Sequence, residues 1–274
     1  MTSSSDGPSP AAHRVSGDSA GRALEMPSPL SLAGTALFLD FDGTLVEIAE
    51  HPDDVRVSPR LRGLVEELSR ALDDRLAIVT GRSIAALESL LGPVEVALAG
   101  SHGGEFRPGG GQPTEPLASP LPGAVVGALQ AFSERHGGLL VEPKPFSAAV
   151  HYRHHPEARD ALLLQAQELA ATFDLEVKHG KQVVEVTMPG SDKGSAVARF
   201  MQLPHFREAR PTFLGDDVTD EDAFHVARDL GGRGILVGAP RPTAASFRLD
   251  SVTAVHAWLE TGLHAAAFKG EPPR

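Results

Sequence analysis

The chain has 274 residues with 41% hydrophobic content, enough for one large domain or for a domain with a substantial insertion. It contains no cysteine, which excludes disulfides, thiolate metal sites and cysteine nucleophiles. The formal net charge of -11 argues against a nucleic-acid-binding protein, and no apolar run is long enough to span a bilayer. We therefore expect a protein that binds neither nucleic acid nor a membrane.

The first 33 residues are rich in Ser, Pro, Gly and Ala and show no hydrophobic periodicity. A segment of this composition cannot bury enough apolar surface to offset the entropy of ordering, so we predict a disordered tail over residues 1–33. The tail lacks the basic start and the apolar stretch of a signal peptide, which favours a cytoplasmic location.

Strands and helices alternate in the next part of the chain. Apolar runs and helical spacing predict strands at Ala36–Leu39, Leu76–Val79 and Val94–Ala99. One helix is predicted to begin at Pro59 after an N-cap at Ser58, and a second is predicted at Ser83–Leu91. The alternation resumes after Pro189, with a helix from Lys193, strands at Thr212–Leu214 and Ile235–Val237, and helices from Asp220 and Val252. This pattern indicates an α/β fold with a doubly wound, Rossmann-like parallel sheet.

A different pattern lies between the two parallel parts. Residues 107–122 are dense in Gly and Pro and predict a linker. The order helix, strand, strand then occurs twice up to Thr187, which indicates a small α+β domain with its helices on one face of an antiparallel sheet. We therefore predict a core formed by residues 34–107 and 189–268, with an inserted cap domain at residues 108–188.

Carboxylates follow the first predicted strand in Asp40-Phe41-Asp42-Gly43. Side chains two apart at the end of a strand point the same way, so both carboxylates can face one substrate. One can then act as a nucleophile and the other as a general acid. The alternative is a simple turn, because Asp-Gly is a common turn dipeptide.

A second acidic strand end occurs in Gly215-Asp216-Asp217-Val218-Thr219-Asp220. Two acidic ends in one parallel sheet would repel each other without a cation, and carboxylate oxygens are ligands that magnesium prefers. Asp217 and Asp220 could instead cap the following helix, whereas metal ligation is the better interpretation of Asp216.

Donors for a phosphate group occur in two further segments. Thr80-Gly81-Arg82 follows a buried strand and opens a helix, where free backbone N–H groups can hold an anion. Lys193 begins the helix after the inserted domain and could offset the crowded negative charge, although a lone lysine is usually a solvated surface residue.

These four segments, in this order, resemble the haloacid dehalogenase (HAD) superfamily of phosphatases over residues of about 35 to 265. The resemblance implies that Asp40 is the nucleophile and that Asp42 is the acid and base. It also implies that Thr80 and Lys193 hold the phosphoryl group, which passes through an aspartyl-phosphate. Positioning and electrostatics would then be the dominant contributions to the rate.

The same resemblance implies a magnesium cofactor. The ion would lie on the Asp40 carboxylate, the Asp42 carbonyl and the Asp216 carboxylate, with Asp220 in support.

Several further segments are similar to the trehalose-6-phosphate phosphatase family. They are Asp42-Gly43-Thr44-Leu45-Val46-Glu47-Ile48, Gly100-Ser101-His102-Gly103-Gly104-Glu105, Glu142-Pro143-Lys144, His151-Tyr152-Arg153, Lys181-Gln182-Val183-Val184-Glu185-Val186 and Thr219-Asp220-Glu221-Asp222-Ala223-Phe224. The resemblance implies hydrolysis of trehalose 6-phosphate in trehalose biosynthesis. We expect a monomer.

Polar residues of the cap are candidates for sugar binding, because residues two apart on a strand share a face and charged groups hydrogen-bond sugar hydroxyls. The resemblance implies that the sugar is contacted by Glu142, Lys144, Lys181 and Glu185. Further candidates for substrate binding are Arg82, His102 and Arg153. Lys181 and Glu185 could instead form an exposed cross-strand pair, and Arg153 could only brace the cap.

Three other functions share the core motifs. One is a phosphatase for sucrose phosphate or mannosyl-phosphoglycerate. A second is a sugar-phosphate sensor that binds without turnover, and a third is a phosphoryl-transferring mutase. A panel of phosphorylated disaccharides separates the first from the trehalose-6-phosphate reaction, and turnover in magnesium separates the second.

Overall fold

A computed structural model of the chain describes residues 24–49, 54–117, 119–180, 182–190 and 192–269. Most of the predicted tail, residues 1–23, lies outside this part of the chain. No helix among these residues is both long enough and apolar enough to cross a membrane.

The structure has twelve strands and seven α-helices in its described part. The strands are β1 Thr35–Leu39, β2 Leu76–Val79, β3 Ala97–Gly100, β4 Glu105–Arg107, β5 Glu115–Pro116, β6 Leu140–Pro143, β7 Ser147–His151, β8 Glu176–Gly180, β9 Val183–Thr187, β10 Arg210–Gly215, β11 Arg233–Val237 and β12 Phe247–Leu249. The helices are α1 Pro59–Ala71, α2 Ile84–Leu91, α3 Gly123–Arg135, α4 Arg159–Phe173, α5 Lys193–Phe200, α6 Glu221–Asp229 and α7 Val252–Lys269.

The larger sheet has eight strands in the order β12-β11-β10-β1-β2-β3-β4-β5. The pairs from β12 to β3 are parallel, and β4 and β5 extend the sheet with antiparallel pairs. The chain leaves β1 toward β2 on one side and returns as β10 on the other, so the strand order reverses beside β1. Ligands of doubly wound sheets bind at such a switch point, outside the carboxyl ends of the strands.

The core sheet is covered on both faces. Leu37 and Leu39 point to one face, where they join a cluster with α1, α2 and α7. Phe38 points to the other face and packs with α5 and α6. A strand buried on both sides explains the unbroken apolar run before Asp40. The expected doubly wound α/β core is confirmed.

Residues 24–33 are ordered against this core, so the tail prediction is wrong for them. Leu30 and Leu32 are buried in the cluster that contains α7. The indole of Trp258 donates to the Ser28 carbonyl at 2.9 Å, and the Arg248 amide donates to the Glu25 carbonyl at 3.0 Å.

The inserted domain has an antiparallel sheet in the order β6-β7-β9-β8. Helices α3 and α4 pack against one face through a separate apolar cluster. The opposite face carries a row of direct cross-strand neighbours: Glu142, Ala149, Glu185 and Lys178. The helix-strand-strand pattern of the sequence therefore gives the expected α+β cap. The core sheet, however, continues through β5 at Glu115–Pro116. The predicted end of the core and the predicted start of the linker, both at residue 107, therefore lie too early in the chain.

Candidate active site

Asp40 follows β1 in the middle of the core sheet, and its carboxylate is buried. The Lys193 ammonium, in the first turn of α5, donates to Asp40 Oδ1 at 2.7 Å and to Asp220 Oδ1 at 2.6 Å. The other Asp220 oxygen, Oδ2, accepts from the Asp217 amide at 2.9 Å. Both oxygens of Asp220 are therefore used by donors of the chain, and Asp220 anchors the lysine.

Burial and charge set the protonation of this buried pair. Burial alone would lower the pKa of Lys193, but the Asp220 and Asp40 carboxylates raise it above its ordinary value, so the ammonium stays charged. Burial raises the pKa of Asp40 well above its ordinary value, against the opposing effect of Lys193. A further cation beside Asp40 would favour the carboxylate form that a nucleophile needs.

Asp216 follows β10, the strand that pairs with β1, and its carboxylate lies against Gly43. A Cβ on Gly43 would collide with this carboxylate, and the φ of +81° at Gly43 also favours glycine. Asp216 Oδ1 is buried and has no hydrogen-bond partner among the described residues. Burial, with the charge of Asp220, raises the pKa of Asp216 to about 7.

Asp40, Asp216 and Asp220 form an acidic cluster in which each residue offers a carboxylate oxygen within 4.8 Å of the others. Lys193 offsets one of the three negative charges. A divalent cation would offset the other two and could take the unpartnered Asp216 oxygen as a ligand, because hard cations prefer carboxylate oxygens. The donor set therefore fits a magnesium ion.

Asp42 is paired with Arg82. The guanidinium binds both carboxylate oxygens, with Nε 2.6 Å from Oδ2 and Nη2 2.8 Å from Oδ1. Such a bidentate pair fixes the orientation of the carboxylate as well as its distance. Arg82, expected to contact substrate, contacts the predicted acid and base in this structure.

Thr80 follows β2, and its buried hydroxyl accepts a hydrogen bond from the Arg82 amide at 3.1 Å. The start of α2 is already occupied by anionic and polar groups of the chain. Glu105 Oε2 accepts from the Ile84 amide at 2.8 Å, and the Ser83 hydroxyl accepts from the Ala86 amide at 3.2 Å. These amides are not free to hold a phosphate, which limits the expected anion site to the backbone before Ile84.

His102 lies in a short 3-10 turn after β3 in which Ser101 and His102 both have positive φ, 51° and 56°. Its imidazole lies against Gly81, where a Cβ would be 2.6 Å from the ring. Burial lowers the pKa of His102 to about 3, with an opposing effect from Glu185 of the cap. The ring is therefore neutral near pH 7 and lies between the core site and the cap.

Glu185 is the centre of the polar row on the cap. Its Oε1 accepts a hydrogen bond from the Ser147 hydroxyl at 2.6 Å and from the Lys144 ammonium at 3.4 Å. Burial alone would raise the pKa of Glu185, but Lys144 and Ser147 hold it below its ordinary value. No described residue donates a hydrogen bond to Oε2, which can therefore accept from a sugar hydroxyl.

Glu142 lies beside this group, with its Oε1 4.0 Å from the Lys144 ammonium and its Oε2 3.1 Å from His151 Nε2. The hydrogen bond with His151 lowers the pKa of Glu142 below its ordinary value. The cap and the core also touch, because Lys178 Nζ of β8 is 4.0 Å from Asp222 Oδ2 of α6. The polar row thus meets the core at α6, the helix that follows Asp216 and Asp220.

A comparison with known families shows to which family the chain belongs. The family model described as Trehalose-phosphatase matches residues 38–253, which include the buried aspartate site and the whole cap sheet. The chain belongs to the trehalose-phosphatase family.

Individual relatives and solved structures agree with the match to the family model. The chain is 38% identical to trehalose-6-phosphate phosphatase of Escherichia coli K12 over 249 residues, 90% of this chain and 93% of the relative. It superposes on the C-terminal domain of C. albicans trehalose-6-phosphate phosphatase with a TM-score of 0.69 and 27% identity, covering 85% of this chain and 92% of the other. A haloacid dehalogenase-like hydrolase from Bacteroides thetaiotaomicron, 16% identical, shares the fold with a TM-score of 0.58 and coverages of 82% and 98%.

Arg153, a candidate residue of the cap, lies beyond the end of its strand. The sequence argument for Arg153 assumed that its strand continues past His151, but β7 ends there and Arg153 is exposed in the next turn. Arg153 makes no ion pair with a described residue. Lys181 lies outside the described residues, so its role stays a prediction.

Three residues missed in the sequence lie beside the predicted site residues or beside the elements that carry them. Ser147 gave no signal, since a serine in a strand has many uses. Glu105 belongs to a segment that resembles the family, but its contact with α2 depends on the fold. Lys178 is next to Glu185 only because β8 pairs with β9 in this register.

Proposed function

We propose that the chain hydrolyses trehalose 6-phosphate to trehalose and inorganic phosphate through an aspartyl-phosphate. The observation that supports this most directly is the pairing of two groups in one chain. A buried Asp40–Lys193 pair lies at the end of β1, and the cap carries an acidic and basic row that meets the core at Lys178, 4.0 Å from Asp222. Within that row no described residue donates a hydrogen bond to Glu185 Oε2. The first group suits phosphoryl transfer, and the second suits sugar hydroxyls.

The core residues divide the proposed reaction between them. An Asp40 oxygen attacks phosphorus while the bond to the sugar oxygen breaks, and Asp42, in its protonated form, gives that oxygen its proton. Asp42 then accepts a proton from the water that attacks phosphorus in the aspartyl-phosphate, the bond between phosphorus and Asp40 breaks, and inorganic phosphate leaves. Thr80 and Lys193 hold the phosphoryl oxygens, and Arg82 orients Asp42 rather than the substrate. Preorganised positive charge lowers the barrier because charge spreads over the phosphoryl oxygens in the transition state.

A magnesium ion would be held by the carboxylates of Asp40 and Asp216 and by the Asp42 carbonyl. When bound, it would neutralise phosphoryl oxygens and favour the anionic form of Asp40. Asp220 supports the site by fixing Lys193, in keeping with the use of both its oxygens by chain donors.

Sugar selection is assigned to the cap. Glu185, Glu142 and Lys144 offer acceptors and donors on one face of the sheet, and His102 approaches from the core. A hydrogen bond to a charged group contributes ~1.5–3 kcal/mol, so each one lost would reduce kcat/KM about tenfold to a hundredfold. The cytoplasmic location and the monomeric state stay predictions.

The experiment is phosphate release from a panel of trehalose 6-phosphate, sucrose 6-phosphate, mannosyl-phosphoglycerate and p-nitrophenyl phosphate. We expect a preference for trehalose 6-phosphate of at least about tenfold in kcat/KM, loss of activity in EDTA and recovery with magnesium. The variant Asp40→Asn, which keeps the size of the side chain, serves as the control without a nucleophile. Equal rates on all three sugar phosphates, or binding without turnover, would contradict the proposal.

A further inference from the structure

Arg241 lies in the segment between β11 and β12. It binds the backbone of residues 216–217, the acidic loop that follows β10, and makes no contact with the carboxylates of the acidic cluster. Its Nε donates to the Asp216 carbonyl at 3.2 Å, and its Nη2 donates to the Asp217 carbonyl at 2.6 Å. The guanidinium is a planar fork, so two successive carbonyls suit it better than they suit an ammonium. One side chain thus holds the two residues that follow β10.

Glu221, in the first turn of α6, holds Arg241 in turn. Its Oε1 accepts from Arg241 Nη1, and its Oε2 accepts from the Ala244 amide at 2.7 Å. A fourth donor contact of Arg241, to the Pro242 carbonyl at 3.1 Å, keeps the arginine against its own segment. The ion pair between Arg241 and Glu221 therefore joins the acidic loop, the start of α6 and residues 241–244. About a fifth of each of the two side chains is exposed.

The position of the Asp216 carboxylate depends on this backbone. Its Oδ1 has no hydrogen-bond partner among the described residues, and the carboxylate is confined by the close approach of Gly43. A shift of the 216–217 backbone would move the carboxylate away from Asp40 or against Gly43. Outer contacts of this kind orient metal ligands, and their removal typically costs about tenfold to a hundredfold in metal affinity.

We propose that Arg241, held by Glu221, is a positioning residue for the metal centre and sets the affinity for magnesium by fixing Asp216. This inference rests on the proposed magnesium site. Arg241 touches neither the acidic cluster's carboxylates nor, by its contacts, the sugar-binding row. Its removal therefore weakens metal binding first, and the KM for the sugar phosphate at saturating magnesium changes little.

Arg248 provides a matched control within the same part of the chain. Its Nη1 donates to the Gly238 carbonyl at 2.6 Å, and its Nη2 is 2.6 Å from Asp250 Oδ1. Its side chain is 23% exposed, against 22% for Arg241. Arg248→Ala therefore removes the same charge and the same kinds of contact without touching the loop that carries Asp216.

The test is calorimetric titration of magnesium into metal-free wild-type protein, Arg241→Ala, Arg241→Lys and Arg248→Ala, with the magnesium-induced rise in Tm as a second readout. We expect about tenfold or more weaker binding for Arg241→Ala, a smaller loss for Arg241→Lys and a change within about twofold for Arg248→Ala. Activity that Arg241→Ala loses at low magnesium should return at high magnesium.

Equal magnesium affinity of the wild type and Arg241→Ala, with binding by both, would overturn the positioning role and leave the proposed reaction intact. Absence of magnesium binding by the wild type would overturn the metal centre and this role together. If Arg241→Ala does not fold, Glu221→Gln is titrated instead, since it weakens the hold on Arg241 and keeps the acceptor for the Ala244 amide. Unchanged affinity in that variant would overturn the proposal equally.

Discussion

At the scale of single residues, Ser147 shows how the cap prepares Glu185 for a ligand. Its hydroxyl is the shortest contact of the carboxylate, at 2.6 Å, and it uses the same oxygen as Lys144. Among the described residues, none donates to the second oxygen, which the proposed function assigns to substrate. A buried serine that faces the carboxylate therefore orients an acceptor without competing for it.

The variant Ser147→Ala should raise the KM for trehalose 6-phosphate about threefold to tenfold, because one hydrogen bond contributes ~1 ± 0.5 kcal/mol. Hydrolysis of p-nitrophenyl phosphate, which has no sugar, should stay within about twofold of the wild type. Steady-state kinetics with both substrates measures the difference. Ser133→Ala is the control, since the Ser133 hydroxyl is also buried in the cap and, among the described residues, bonds only the Leu139 carbonyl. Equal losses on both substrates would show a general defect of the cap and not a role in sugar binding.

Several site residues could be predicted from their positions in the chain because parallel strands bring their carboxyl ends to one edge. Asp40, Thr80 and Asp216 follow β1, β2 and β10, which are neighbours in the sheet. Arg82 was predicted to contact substrate, and its bidentate pair with Asp42 depends on the path of the backbone after β2, which no spacing reveals. Arg153 was misplaced because the end of a strand is set by pairing, not by the residue itself.

At the scale of elements, the start of α2 depends on a residue from another strand. Glu105 of β4 accepts from the Ile84 amide and, at 3.2 Å, from the Ser101 hydroxyl. It thus joins the N-terminus of α2 to the turn that carries His102, where two successive residues have positive φ. Carboxylates at a helix N-terminus are stabilising because amides there have no partner within the helix.

We expect Glu105→Ala to lower the free energy of unfolding by about 1–3 kcal/mol, since it leaves the Ile84 amide without its acceptor. Glu105→Gln should cost less, because the amide oxygen still accepts a hydrogen bond. Urea unfolding of the two variants and the wild type measures both changes. Glu115→Ala, in the exposed and adjacent strand β5, should change stability by no more than about 0.5 kcal/mol. A Glu105→Ala variant as stable as the wild type would contradict the role of this carboxylate.

The elements predicted best are those whose hydrophobic pattern is complete within themselves. The bounds of β2 and the end of β9 at Thr187 agree with the prediction, and α1 begins at Pro59 after the Ser58 cap. Strands β4, β5 and β12 have two or three residues and are defined by pairing with longer neighbours, so no local pattern marks them. The ordering of residues 24–33 likewise depends on burial of Leu30 and Leu32 against a distant helix.

At the scale of the whole molecule, the acidic cluster links metal binding to folding stability and pH. Burial raises the pKa of Asp216 to about 7, so its proton stabilises the metal-free fold at low pH. That contribution is complete below the ordinary pKa of an aspartate and is lost as the pH rises through about 7. Magnesium requires the ionised carboxylate, so protons compete with the metal below this pH.

The rise in Tm caused by magnesium should therefore be small at about pH 5.5 and clearly larger at about pH 8. Thermal unfolding with magnesium and with EDTA at the two pH values measures it. In Asp216→Asn, which cannot ionise, the rise should be weak at both pH values. An equal rise in the wild type at both pH values would contradict the link to Asp216.

The insertion of the cap also has a consequence for biosynthesis. Asp40 and Lys193 are 153 positions apart, and the cap is made between them. A nascent chain that has produced β1, β2 and β3 thus contains Asp40 in an incomplete sheet, without the Lys193 ammonium that compensates its burial. Strand β10, which lies beside β1, emerges later still, so the centre of the sheet closes only near the end of translation. We expect the α+β insert to fold while the sheet around it is still open. The order of synthesis therefore delays assembly of the site around Asp40.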